Sequence, residues 1–133
     1  MRLFASLTLV VALAAVAVAA GQAVRRQAAT ELRVVVWPQG EDGPKKTWTL
    51  RCGPTGGTLP NSAAACRRLA ALPNPFAPVP RTAICTAIFG GPQVALVTGH
   101  HGQRRIWARF SRQDGCQIDR WKRHGFLLQS GSA

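Results

Sequence analysis

Acidic side chains are scarce in this sequence: 5 Asp plus Glu stand against 17 Lys plus Arg, a formal charge of +12 over 133 residues. Chemistry that needs paired carboxylates has little to draw on. The acids are Glu31, Glu41, Asp42, Asp114 and Asp119, and two of them fall in one turn. A small basic domain with His100, His101 and His124 could still be a ribonuclease-like enzyme, pairing a histidine with a carboxylate as acid and base. His100-His101 lies in a glycine-bounded GHHG segment, however, which reads as a solvated turn. The chain is therefore expected not to be an enzyme.

Other absences narrow the field further. The four cysteines are 14, 19 and 31 positions apart with no C-x-x-C pair, so neither a zinc site nor any other cofactor is expected. No block of five or six like charges occurs, which excludes a dedicated basic tail. There is no internal repeat and no low-complexity tract beyond the first residues. The longest apolar run, Leu7 to Val18, falls short of the roughly 20 residues that a membrane span needs.

That short run has another use. It follows Met1-Arg2 and leads to Ala17-Val18-Ala19, an A-x-A cleavage site, with Gly21-Gln22-Ala23 as a second. This is the layout of a secretory signal peptide. The rival is an uncleaved anchor with Arg25-Arg26 as its stop. Residues 1–23 are assigned as signal peptide, 24–30 as a polar lead-in, 31–128 as one domain and 129–133 as a tail. The mature protein is expected to be extracellular and free of the membrane. About 110 residues make one compact domain, and an oxidising compartment would let the four cysteines form two bridges. Three pairings are open. Cys52 and Cys66 flank a turn-rich segment and a helix start, which suits a local bridge and would leave Cys85 to Cys116.

Periodicity supplies an α+β domain, an antiparallel sheet with one helix packed on it; the resemblance described below raises this to about five strands with one or two helices. Leu32, Val34 and Val36 alternate with Arg33, Val35 and Trp37 in a strand that ends at Pro38. Trp48, Leu50 and Cys52 alternate in its hairpin partner across QGEDGP turn chemistry. Residues 53–60 read as loop. Asn61 or Ser62 can cap a helix to about Leu72, which buries Ala65, Leu69 and Leu72 and ends at Pro73. Pro73, Pro75, Pro78 and Pro80 make the next stretch extended. Gln93 to Thr98 reads as a central strand and residues 99–102 as a turn. Ile106, Ala108 and Phe110 line one face of a last strand, with Arg105, Trp107 and Arg109 on the other.

The segment PVPRTAICTAIFGGP, residues 78–92, carries the function. It reads either as one more buried strand or as an exposed loop shaped like a protease substrate, which binds as an extended strand through main-chain hydrogen bonds. A loop already held in that shape avoids the ordering cost that a free peptide incurs.

Residues 49–128 resemble the Streptomyces subtilisin inhibitor family. The matching stretches are TWTLRCGPTGGTLPNSAAAC, CRRLAAL, CTAIFGGP and GQRRIWARFSRQDGC, with the cysteines in the family's order. The resemblance implies bridges Cys52–Cys66 and Cys85–Cys116, and a five-stranded antiparallel sheet with two helices. It also implies an exported, often dimeric inhibitor of subtilisin-like serine proteases. By position it implies a reactive bond between Ala87 at P1 and Ile88 at P1′, in a loop with Cys85 at P3, Thr86 at P2 and Phe89 at P2′. The sequence departs from the family at Thr86, where proline is common, and at Ala87, where Met or Lys is common. Gly90-Gly91 replaces a stiffer stretch and is expected to loosen the loop.

The alternative is a secreted basic protein that binds acidic polymers or nucleic acid, through cations interleaved with Trp107. The blander expectation is that Trp107 packs beneath arginine stems, leaving no specific nucleic-acid partner.

Overall fold

The computed structural model describes residues 29–129; the expected signal peptide, both candidate cleavage sites, Arg25-Arg26 and most of the expected lead-in and tail lie outside them. Five strands form one sheet: β1 (Thr30–Trp37), β2 (Lys46–Cys52), β3 (Gly56–Gly57), β4 (Val94–His101) and β5 (Arg104–Phe110). Their spatial order is β3-β2-β1-β4-β5, with every neighbouring pair antiparallel. Three helices complete the chain: α1 (Ser62–Ala71), α2 (Gly115–Arg123) and the single turn α3 (Gly125–Leu128).

The alternation in the sequence becomes the two faces of the sheet. Leu32, Val34 and Val36 of β1 lie beside Gly99, Val97 and Ala95 of β4, which in turn lie beside Ile106, Ala108 and Phe110 of β5. These side chains and Leu50 make the core face. Ala65 and Leu69 of α1, Trp121 of α2 and Leu127 and Leu128 of α3 pack against it. The helix face expected from the sequence is therefore the buried one at Ala65 and Leu69, while Leu72 is its half-buried C-cap.

The α1 start differs from expectation. Asn61 is the N-cap residue but sits in the left-handed region at φ 56° with no side-chain cap bond, and the Ser62 hydroxyl donates to Leu59 O instead. Residues 99–102 also differ, because β4 continues through His101. β1 supplies partners as far as Thr30, and Thr30 Oγ1 meets His101 Nδ1 at 2.9 Å. Gly99 permits this continuation. A Cβ there would fall 2.0 Å from Glu31 O, so only glycine lets β1 and β4 stay paired at that point.

Two bridges close the framework: Cys52–Cys66 ties β2 to α1, and Cys85–Cys116 ties residue 85 to α2. Closing a loop of this size stabilises the first region by about 3 kcal/mol in the chain-entropy model.

Polar groups hold the other side of the core. Arg120 is buried and its guanidinium donates to Arg109 O (2.6 Å), Ala77 O (3.0 Å) and Phe76 O (3.5 Å), with the Phe110 ring 4.0 Å from its carbon. A buried guanidinium is tolerable only with such partners. His124, one turn on, is buried among Phe76, Phe110 and Phe126, with Nδ1 at 2.8 Å from Arg120 O and Nε2 against Pro75 O.

Burial pushes the pKa of His124 below the ordinary histidine value; the Arg120 and Arg123 charges push the same way and the two carbonyls pull against it. The unfolded chain then binds the proton first as pH falls. The stability is complete above the unfolded value near 6.5 and is lost as pH drops toward the folded one. His101, also lowered by burial, acts in the same direction. The midpoint of thermal unfolding should fall between about pH 7.5 and about pH 5.5, and the fall should be smaller in His124→Gln. An identical pH profile in that variant would remove His124 from the account.

Candidate functional site

Residues 85–89 are not a strand. They run as irregular chain between the proline-rich stretch and β4, outside the sheet. The segment pairs with no strand of the sheet, and β4, which follows it in the chain, has β1 and β5 on its two sides. The segment is held instead by the stretch from Arg112 to Ile118, which leads into and begins α2.

Each attachment can be named. Cys85 is bridged to Cys116. Thr86 O accepts from Gly115 N–H (3.0 Å) and also from Ile88 N–H (2.9 Å), the second closing a three-residue turn centred on Ala87. Gly90 N–H donates to Arg112 O (2.7 Å). The peptide bond between Ala87 and Ile88 is thus braced on both sides within a few residues. The α2 start that supplies these contacts is itself fixed by Asp114, whose side chain accepts from Gln117 N–H (2.9 Å).

The side chains point outward. Thr86 and Ala87 are exposed, Ile88 is 57% exposed and Phe89 68%, while Cys85 is half-buried in its bridge. Ile84, which the sequence reading leaves out of the loop, is fully exposed. An isoleucine immediately before the tethering cysteine, in a stretch with no core partner, is the signal that could have marked it.

Gly90 reverses the expectation that glycine loosens this region. A Cβ at Gly90 would lie 2.7 Å from Ile118 Cδ1 and 3.2 Å from Arg112 O, so the missing side chain is what lets the loop's end close onto α2. Gly91 sits at φ +124°, a conformation that suits glycine. Gly115 has the same role on the other side, since its Cβ would meet Thr86 Oγ1 at 2.1 Å. These glycines tighten the loop against its support.

The arrangement offers little chemistry of its own. Cys85, Asp114 and Cys116 bring ligand-type atoms within 4.8 Å of one another, but the two sulfurs are bonded to each other and cannot act as thiolates. His124 is buried against carbonyls and His101 is engaged by Thr30. His100 lies opposite Glu31 across the β1–β4 pair, on the solvent face of the sheet. What the site presents is a peptide bond held in an exposed, tethered segment with apolar side chains around it.

The described residues form an α+β domain, a five-stranded antiparallel sheet with helices on one face, stapled by two disulfides and carrying a tethered, exposed loop. A family model described as subtilisin inhibitor-like matches residues 28–111, which take in every strand, α1 and the whole loop. The chain belongs to the subtilisin inhibitor-like family. That is a family of inhibitors and not of enzymes. No curated protein matches the chain.

The close fit at Gly90 has a measurable consequence. Gly90→Ala should destabilise the fold by about 1–3 kcal/mol, the usual range for overpacking, and should speed amide exchange at position 90. Ile118→Ala in the same chain should recover most of both effects by vacating the space. Gly90→Ala with unchanged stability and exchange would mean that the loop is not seated on Ile118.

Proposed function

We propose that the mature protein is an exported inhibitor of subtilisin-like serine proteases, and that it presents the Ala87–Ile88 bond to the protease active site. One observation carries this reading. Of the four large hydrophobic side chains exposed on the described residues, three (Ile84, Ile88 and Phe89) lie within six residues of one loop that is tethered on both sides. Exposed apolar groups concentrated on a rigid segment fit a partner that binds an extended chain through its main chain and through pockets for side chains. Export is supported by the N-terminal signal pattern and by two disulfides, which persist in oxidising compartments.

In this reading the attacking serine, its histidine and the oxyanion hole all belong to the protease. The inhibitor supplies geometry. With Thr86 O fixed by Gly115 and Ile88 N–H turned back onto Thr86 O, the carbonyl of Ala87 is offered while both flanks stay in place. If the bond were cut, the Cys85–Cys116 bridge would hold the new carboxylate end, and the Gly90–Arg112 hydrogen bond would keep the new amine nearby. Resealing then competes with release, because the ends remain oriented toward each other.

The loop's side chains set preference. Ala87 is small, and each methylene it lacks relative to a larger P1 residue forgoes roughly 0.8 kcal/mol in a deep apolar pocket. Enzymes with subtilisin-like or elastase-like pockets should therefore be inhibited better than trypsin, whose pocket carboxylate would be left without a partner.

Titrating purified mature protein against subtilisin, elastase and trypsin tests the reading. Ala87→Lys should improve trypsin inhibition by roughly 30-fold or more, the scale of pairing a buried charge. Ala87→Pro should abolish inhibition of all three, because it removes the P1 backbone donor and restricts the loop. Arg105→Ala and Arg109→Ala, on β5, should change nothing. Strong trypsin inhibition by the unaltered protein would instead place the bond elsewhere, with Arg81 the first position to examine.

A further inference from the structure

Among the described residues, three cations lie outside every strand and helix: Lys45, Arg81 and Arg112. Two of them are engaged. Lys45 precedes Lys46, which is paired with Val36 of β1. Arg112 O accepts from Gly90 N–H, and Arg112 Nε is buried. Arg81 is exposed, and so are Pro80, Thr82, Ala83 and Ile84 around it.

Little holds the backbone at Arg81. Upstream, the nearest anchor is Ala77 O, which accepts from the buried Arg120. Downstream it is the Cys85–Cys116 bridge. Between the two, residues 78–84 have one main-chain hydrogen bond, from Ala83 N–H to Pro80 O (3.0 Å), which closes a turn over Arg81 and Thr82. That bond is internal to an exposed turn, so its net contribution is small and the stretch can open while the rest of the fold stays closed. Exposed chain tied only at its ends is where proteases nick folded proteins. Once open, it can take the extended form in which they bind substrates, and Pro80 already holds a φ close to that form.

We propose that the Arg81–Thr82 bond is a cleavage site for serine proteases whose primary pocket carries a carboxylate, so that the protein is a substrate of that class. The Arg81 guanidinium pairs with the pocket carboxylate. Water adds across the peptide bond, leaving a carboxylate on Arg81 and an amine on Thr82. The Ala87–Ile88 bond differs in its supports, because Gly115 N–H and Arg112 O hold the main chain on either side of it. At Arg81–Thr82 neither new end is anchored nearer than Ala77 or Cys85, so the ends part and hydrolysis outruns resealing. This site stands independently of the inhibitor reading.

The bridges decide what the cut does. Cys52–Cys66 lies wholly before it and Cys85–Cys116 wholly after it, so no covalent link joins the two pieces. One piece carries β1, β2, β3 and α1, and the other carries the loop, β4, β5, α2 and α3. The β1–β4 pairing and the shared core hold them together. Cleavage turns a one-chain fold into a two-chain complex, whose stability falls on dilution.

The test treats the mature, disulfide-intact protein with a trace of trypsin and sequences the first new N-terminus. It should be Thr82, and denaturing electrophoresis without reductant should show two separate pieces. A cut at Ala87–Ile88 falls inside the Cys85–Cys116 span, and its pieces would part only after reduction, so the two bonds are told apart on one gel. Arg81→Gln should slow cleavage at this bond at least about 100-fold, since the pocket loses its charged partner, and Arg81→Lys should restore it. Circular dichroism checks that both variants are folded. A first cut at Lys45, Arg112 or any other cation would overturn the proposal, as would an uncut chain or an Arg81→Gln variant cleaved as fast as the parent. Trypsin activity lost in proportion to added protein, with Arg81–Thr82 intact, would overturn it too, because trypsin would then be a target and not a consumer.

Discussion

Helix α2 grips the long segment between α1 and β4, and the candidate site depends on that grip. The segment from Pro73 to Gln93 contains no strand or helix, and four of its first eight residues are prolines. It has almost no internal hydrogen bonding to set its course. Its course is set from outside, mostly by the stretch that leads into α2 and by the helix itself. His124 and Arg120 hold the carbonyls of Pro75, Phe76 and Ala77. Cys116 holds Cys85, Gly115 holds Thr86, and Ile118 and Arg112 O close over Gly90. Main-chain atoms receive most of these contacts. The support therefore fixes where the backbone runs and leaves the side chains of Ile84, Ala87, Ile88 and Phe89 free to face a partner.

The same organisation explains what could and could not be read from the sequence. β1, β2 and β5 are legible because each buries one face and wets the other, so polarity alternates along them. β4 is legible as an apolar run, being flanked by strands on both edges. α2 is opaque for the opposite reason. Its two buried residues are Arg120 and Trp121, and His124 follows at its C-cap. A reading that assigns apolar residues to the core finds only Ile118 and Trp121 in it, too few to show a helical period. The Asp114–Gln117 pair is the trace that remains, since an acidic N-cap with glutamine three residues on is a helix-start pattern. β3 is two glycines with no side chain to alternate, and it exists because a bare backbone can fold against Thr49 and Leu50.

The glycines of the loop show how a correct local rule can give the wrong answer. Glycine raises the entropy of an unfolded chain and of an unsupported loop. Gly90 and Gly115 are not unsupported, because each marks a point where another part of the protein comes closer than a Cβ permits. The relevant quantity is the freedom left after packing, and there it is small. The resemblance to inhibitors with a proline at P2 has a counterpart here in a different device. Thr86 lacks the ring that would fix its backbone, but its carbonyl is held by two N–H donors and its hydroxyl lies against Gly115. A ring would fix φ of residue 86, whereas these hydrogen bonds fix where its carbonyl points, so the backbone is restrained by a different torsion.

Charge is distributed so that recognition and attraction are separate. From Thr82 to Gln103 the chain carries no Lys, Arg, Asp or Glu, although the protein as a whole is strongly basic. In the proposed role the loop would meet a protease through shape, main-chain hydrogen bonds and apolar contact. Those are short-range terms that mainly set how long a complex lasts. Arg81 and Arg112 flank this stretch, and most other arginines lie on the outer sheet face and on α1 and α2, where they shape the long-range field that governs encounter. Moving a cation into the loop would mix the two roles, because a charge that must be desolvated on docking costs more than it attracts unless the partner offers a matched counter-charge. An uncharged loop on a cationic body avoids that cost.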